Sequence, residues 1–222
     1  MTVYDAYEQF LKLVNKNNIN DNVGVSKYNF ITLFNSSQNK FVDSVLERLN
    51  QKDRRLIQRL LETDKKLSNK KAGERQTTVD LPKDYFEFVN IDAYATNDSC
   101  KKQRMLMVEV KSENINHLLA DSNSKPSFKY REGIYVIAQS KVILYKDDFE
   151  YSDVYLDYYR KPVQIDIDGY VKADGKPSTN IDPEFEDREI NRILLIAAKD
   201  FNLNNENLEK FQADNTRIIS KF

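Results

Sequence analysis

The sequence predicts an α+β fold: helices at both ends of the chain and an antiparallel β sandwich or barrel between them. Three observations carry this. Apolar residues recur every three or four positions up to Leu67, the period falls to two from Thr77 to Tyr159, and a helical stripe returns after Pro183. The expected division is a helical bundle from residues 1–72 and 179–222, with an antiparallel β domain at 73–178.

The first helix is read at 2–16, where Val3, Tyr7, Phe10, Leu11 and Val14 share a stripe and Thr2 or Asp5 serves the N-terminus. Ser26 caps a second helical run through Phe30, Leu33, Phe34, Phe41, Val45 and Leu49. Asn35-Ser-Ser-Gln-Asn39 forms helix poorly, so a break is expected there. Asp53 to Leu67 reads as a third helix, with Leu56, Ile57, Leu60 and Leu61 on one side and Arg, Lys and Glu on the other.

Strands are expected at Thr77–Leu81, around Phe86–Val89, at Arg104–Val110 and at Phe128–Arg131. Gly133–Ile137 and Lys141–Tyr145 are expected to form a hairpin. The best-marked strand is Asp153-Val-Tyr-Leu-Asp-Tyr-Tyr-Arg160. Val154, Leu156 and Tyr158 are assigned to its inner face, and Pro162 stops the ladder because it has no N–H to give. Val163 to Ser178, with Asp166, Asp168, Gly169, Asp174, Gly175 and Pro177, is turn chemistry. In the closing helix Asp182 is the expected N-cap and Pro183 the first helical residue. Phe185, Ile190, Ile193, Leu194, Ala197 and Phe201 form its stripe, and Leu208–Ile219 reads as a last short helix.

Composition narrows the function. The 222 residues are 40% hydrophobic and 31% charged, with a net charge of −1, so overall charge predicts neither a nucleic-acid nor an anionic-membrane partner. Locally, Lys52–Lys71 holds eight basic residues against three acidic ones, and Asp147–Asp157 holds five acids and no base. Opposite charges on two stretches of one chain suit a self-assembling ring or two solvated faces. No apolar run approaches the ~18 residues of a membrane span. The opening Met-Thr-Val-Tyr-Asp-Ala has neither the charge nor the apolar core of a secretion signal, so none is expected. With a single cysteine no intrachain disulfide forms.

Nothing in the sequence assembles a catalytic centre. One histidine, His117, and one cysteine, Cys100, are too few for a zinc site, and no motif orients them as a base and nucleophile. The glycines match no phosphate-binding spacing, and Asp166-Ile-Asp-Gly169 is too short for a calcium loop. Acids interleave Tyr151, Tyr155, Tyr158 and Tyr159, so these are read as core and interface and not as a base-stacking platform. No cofactor and no enzymatic activity are expected.

Three motifs in order resemble the head–tail connector (adaptor) proteins of tailed bacteriophages, of the short-tailed or crAss-like type. They are Leu81-Pro-Lys-Asp-Tyr85, Val154-Tyr-Leu-Asp-Tyr-Tyr-Arg-Lys-Pro162, and Asp182-Pro-Glu-Phe185 with the helix after it. The resemblance spans roughly residues 77–201. It implies a structural virion protein that docks beneath the portal as a homo-oligomeric ring, most plausibly of twelve copies. Such a ring passes double-stranded DNA without reading its sequence, meets portal and other tail or ring proteins, and touches no membrane. Its place is the head–tail junction of a virion assembled in the bacterial host cytoplasm. The residues proposed for its interface or channel are Arg54, Arg55, Arg59, Lys65, Lys66, Arg160, Ile218, Ile219 and Phe222. The alternative from the residues alone is a β-sandwich module that binds a ligand or carbohydrate.

Overall fold

A computed structural model describes residues 1–15, 24–47, 54–68, 70–98 and 100–204. The fold is mixed α+β, and it divides into two compact units. One comprises the described residues of Met1–Arg59 and Pro162–Phe222, the other those of Leu60–Lys161.

In the first unit, α1 (Val3–Val14) is capped by Thr2, whose hydroxyl accepts from the Asp5 N–H while the Asp5 carboxylate accepts from the Thr2 N–H. This reciprocal box satisfies donors that the first helical turn leaves open. The helix buries Val3, Ala6, Phe10 and Val14. Helix α2 runs unbroken over Lys27–Glu47, which corrects the expected break at Asn35–Asn39. The cause is tertiary: Ser37 and Gln38 are buried, and the amides of Asn35 and Gln38 bond the backbone of residues 163–165. Those contacts outweigh the poor helix propensity of Asn and Ser.

The closing helix is α4 (Asp187–Asn204), and it packs on both α1 and α2. Phe10 meets Phe30 at 5.3 Å and Phe201 at 6.0 Å, and Phe41 meets Phe185 edge-on at 5.9 Å. Asp182 is not the N-cap of α4. Its carboxylate accepts from the Val3 N–H at 2.8 Å, and so serves the start of α1. Residues 182–186 stay non-helical while Phe185 is buried and Glu184 accepts from the Val163 N–H at 2.7 Å. The first bond into α4 runs from the Ile190 N–H to the Glu186 carbonyl.

The polar segment after Pro162, expected within the β domain, belongs to the helical unit. Its organiser is Asp166, a buried carboxylate that accepts from the Ile167 and Thr179 N–H groups, the Tyr170 hydroxyl and the Lys172 ammonium. These donors hold its pKa below the ordinary value, although burial alone pushes it upward. The turn itself needs Gly169, at φ +97°.

The residues expected to form the third helix make instead a 3-10 turn, Arg55–Leu60, where the first unit's opening segment ends, and then strand β1 (Leu61–Lys66) of the second unit. The short stripe Leu56–Leu61 fits a turn and a strand as well as a helix, and pairing with β8 decides between them. Strands β2 (Lys71–Ala72), β3 (Gln76–Asp80), β4 (Tyr85–Asn97), β5 (Cys100–Glu109), β6 (Glu132–Ala138), β7 (Lys141–Tyr145) and β8 (Glu150–Arg160) complete an eight-stranded sheet. Its order is β1-β8-β4-β5-β6-β7-β3-β2.

The expectation of a wholly antiparallel sheet is corrected at one pair: β5 and β6 run parallel, with Met107 opposite Gly133. A parallel pair needs a long crossover, and residues 110–131 supply it, with the short helix α3 (Ile115–Ala120) packing Ile115 on Ile134 and Val136. Phe128–Arg131 is part of that crossover, a turn and not the expected strand, with Arg131 at φ +61°. The sheet curls about one core containing Ile91, Ala93, Met105, Val142, Leu144, Tyr151, Val154, Leu156 and Tyr158. Val154, Leu156 and Tyr158 therefore occupy the inner face assigned to them.

Candidate functional site

Two of the three connector-like motifs meet in the β unit. Strands β4 and β8 are antiparallel neighbours with Tyr85 opposite Arg160. The Tyr158 hydroxyl donates to the Asp84 carboxylate at 3.0 Å, and its ring stacks on Tyr85 at 6.0 Å. The Lys161 N–H then donates to the Asp84 carbonyl at 2.7 Å, which ties the residue before Pro162 to the Leu-Pro-x-Asp-Tyr turn. Burial first, and the bond to Asp84 second, push the Tyr158 phenol up to about 12. Arg160 points its Nε at Glu62 on β1, 3.5 Å away, and an Nη at the Lys161 carbonyl. Its surroundings are those of a half-buried brace at the end of the strand.

The basic candidates separate. Arg54 and Arg55 are exposed. Arg59 spans Glu186, at 2.8 Å, and the Glu184 carbonyl, at 2.9 Å, so it braces the entry to α4. Arg55, Arg59, Arg188, Glu186 and Glu189 surround a cleft of about 240 Å³ whose mixed signs favour no simple ion. Lys65 and Lys66 lie on a strand and not on a helix. Lys66 pairs with Asp153 at 2.6 Å, and Lys102 reaches the other oxygen of the same carboxylate at 3.1 Å. Lys125 and Lys146 pair with Asp147 and Glu150. The Asp64 N–H donates to Asp157 at 2.8 Å. Of the charges in Lys52–Lys71, Lys66 thus meets Asp153 of the acidic stretch within one chain, because β1 and β8 are neighbours, while Asp147 and Glu150 pair with lysines from elsewhere in the β unit. Ile218, Ile219 and Phe222 lie outside the described residues.

One feature escaped the sequence. Strand β4 pairs with β5 only over Ala93–Asn97 and Cys100–Met105. Below that the two strands part: residues 85–92 stay with β8, and residues 106–109 go to β6. The result is a fork with a cleft of about 390 Å³ at its base, where Arg104 holds Asp92 at 2.7 Å. Only a pairing register reveals such a divergence, and period-two patterns do not carry one.

Cys100 opens β5 and His117 sits on α3. Among the described residues no three His, Cys, Asp or Glu side chains gather as metal ligands do. No described helix is long and apolar enough to cross a membrane. Set against protein-family models and curated proteins, the chain matches none of either.

Proposed function

We propose that the protein is a ring subunit of a phage head–tail connector, a structural virion protein docking beneath the portal. The observation that carries this reading is the junction at Tyr158. Motifs some seventy residues apart, quoted for their resemblance to the family, converge there on one hydrogen bond and one ring contact. The packing of α4 on α1 and α2 supports a bundle made by both terminal segments, as the resemblance implies. The near-balanced charge suits a conduit, since strong phosphate binding would hold the DNA in place. Among the described residues Arg54, Arg55 and Lys65 are the exposed basic candidates that make no ion pair, which leaves them to a partner or to the channel.

The test is recruitment by the portal protein encoded with this chain. Co-sedimentation and light scattering at low and moderate salt are expected to show the chain joining portal rings at a fixed stoichiometry. No association at either salt overturns the reading.

A further inference from the structure

A buried carboxylate without a partner lies at the cleft between the 3-10 turn Arg55–Leu60 and the start of α4. Glu189 is 5% exposed and lines this cleft of about 240 Å³. Among the described residues it makes no hydrogen bond and no ion pair. Taking a charge out of water without a partner is costly, so a carboxylate in this position calls for an explanation. The dipole of α4 does not supply one. An acid in the first turn of a helix is favourable, but it need not be buried, and Asp187 fills that role from an exposed position.

The rest of the cleft carries the opposite charge. Arg59 is occupied, since it bonds Glu186 and the Glu184 carbonyl. Arg55 and Arg188 are exposed and make no ion pair among the described residues. With Arg59 and Glu186 matched, one buried anion and two open cations remain around the cleft. Leu56 adds an apolar wall, suited to the methylene stem of a long cationic side chain. The volume falls below that of pockets for drug-sized ligands and suits a single amino-acid residue.

We propose that this cleft binds a basic amino-acid unit that carries its own carboxylate, with the cationic end on Glu189 and the carboxylate between Arg55 and Arg188. A guanidinium meets a carboxylate through two parallel hydrogen bonds, so arginine fits best. Each end of such a zwitterion meets a charge that the fold leaves open. A lone anion would face the repulsion of Glu189, and a lone cation that of the two arginines. A free amino acid and the C-terminal residue of a peptide share this chemistry. The inference does not rest on the ring reading, since it needs only the cleft.

The test titrates acetyl-Ala-Arg, with a free carboxylate, into the full chain and follows binding by nuclear magnetic resonance. Saturation at millimolar concentration is expected. Acetyl-Ala-citrulline lacks the cation and acetyl-Ala-Arg-amide lacks the carboxylate. Each should bind about tenfold more weakly, as loss of one charge-assisted contact predicts. Glu189→Gln should abolish the preference for arginine over citrulline. Arg55→Gln with Arg188→Gln should abolish the preference for the acid over the amide. Folding is checked by circular dichroism, and the exposed arginines keep the site testable where Glu189→Gln fails to fold. Free L-arginine separates the two sources: binding as tight as that of the dipeptide assigns a free amino acid, and weaker binding assigns a chain end. No saturation, equal binding by all three dipeptides, or preferences unchanged in the folded variants overturns the inference.

Discussion

The side-chain amide of Asn35 exchanges two hydrogen bonds with the backbone of Ile165. Asn35 Nδ2 donates to the Ile165 carbonyl at 3.1 Å, and the Ile165 N–H donates to Asn35 Oδ1 at 2.9 Å. One carboxamide thus does for the Val163–Ile165 segment what a neighbouring strand does for a β edge. Asn35→Ala leaves both backbone groups unpaired beside the buried Ile165 and should cost about 2–4 kcal/mol in denaturant unfolding. Asn35→Asp keeps the acceptor for the Ile165 N–H but turns a carboxylate oxygen on the Ile165 carbonyl, so it should not restore the lost stability.

Tyr158 is 1% exposed and Tyr159 is 7% exposed, but only Tyr158 belongs to the core cluster with Leu156 and Val154. Tyr158→Ala should cost about 3–5 kcal/mol and Tyr159→Ala clearly less. Tyr158→Phe keeps the volume and loses the bond to Asp84, a change of about 1 kcal/mol. Equal losses for the two alanine variants in chemical denaturation count against the inner-face assignment.

Alkaline pH should loosen the β unit. Burial pushes the Tyr135 phenol up to about 12, with the charge of Glu109 adding to it, and burial alone pushes Tyr151 up strongly. With Tyr158, that makes three core phenols that resist ionisation. A tyrosine is neutral when protonated. A folded pKa above the unfolded value near 10 therefore gives stability that is full below about pH 10 and is lost as pH rises through about 12. Phenolate absorbance should show a late, cooperative group of tyrosines whose ionisation coincides with loss of β-sheet signal. Independent ionisation near pH 10 without unfolding is the contrary result.

Gly133 sits where a Cβ would meet the Tyr151 hydroxyl at 2.5 Å and the Met107 sulfur at 2.6 Å. The hydroxyl cannot retreat without losing its bond to the Tyr145 carbonyl, 2.9 Å away. Gly133→Ala should cost about 1–3 kcal/mol through overpacking. The double variant with Tyr151→Phe should recover part of that loss in thermal unfolding.

Asp153 is shared by Lys66 and Lys102, both exposed, and its carboxyl is held below the usual range chiefly by the bond to Lys66. Exposed pairs contribute little, and each lysine here substitutes for the other. Lys66→Ala should leave the denaturation midpoint almost unchanged. On the ring reading proposed above, it should also leave association with portal unchanged, whereas charge reversal at Arg54 and Arg55 should weaken it.

The legible parts of the fold were those governed by local chemistry. Thr2 and Asp5 announced the start of α1, the Val154–Tyr158 alternation gave the inner face of β8, and the Gly133–Tyr145 hairpin was visible from period and turn alone. Its turn places Gln139 at φ +55°, which no residue type there advertised. The errors came where a distant partner decides. Asn35–Asn39 stays helical because residues 163–165 occupy its amides. Leu61–Lys66 becomes a strand because β8 lies beside it. Asp182 caps a helix nearly the whole chain away. The parallel β5–β6 pair was hidden in the length of the crossover. Of the candidate interface, the opposite charge of Lys52–Lys71 and Asp147–Asp157 was readable, but not that β1 would lie beside β8 and pair Lys66 with Asp153 inside one chain.

Strand β1 opens the β unit and β8 closes it, with Leu61 opposite Tyr159. The unit is a detour between Arg59 and Pro162, roughly a hundred residues long. The ribosome therefore delivers α1 and α2 first and α4 last. At about 5–20 residues per second, the apolar faces of the first two helices wait on the order of ten seconds for the helix that covers them. By the end of that interval the β unit is already free to fold, since its last strand is made before α4. The helical unit is thus the first to be started and the last to be finished. Its exposed Phe10, Phe34 and Phe41 are where a chaperone would hold the nascent chain.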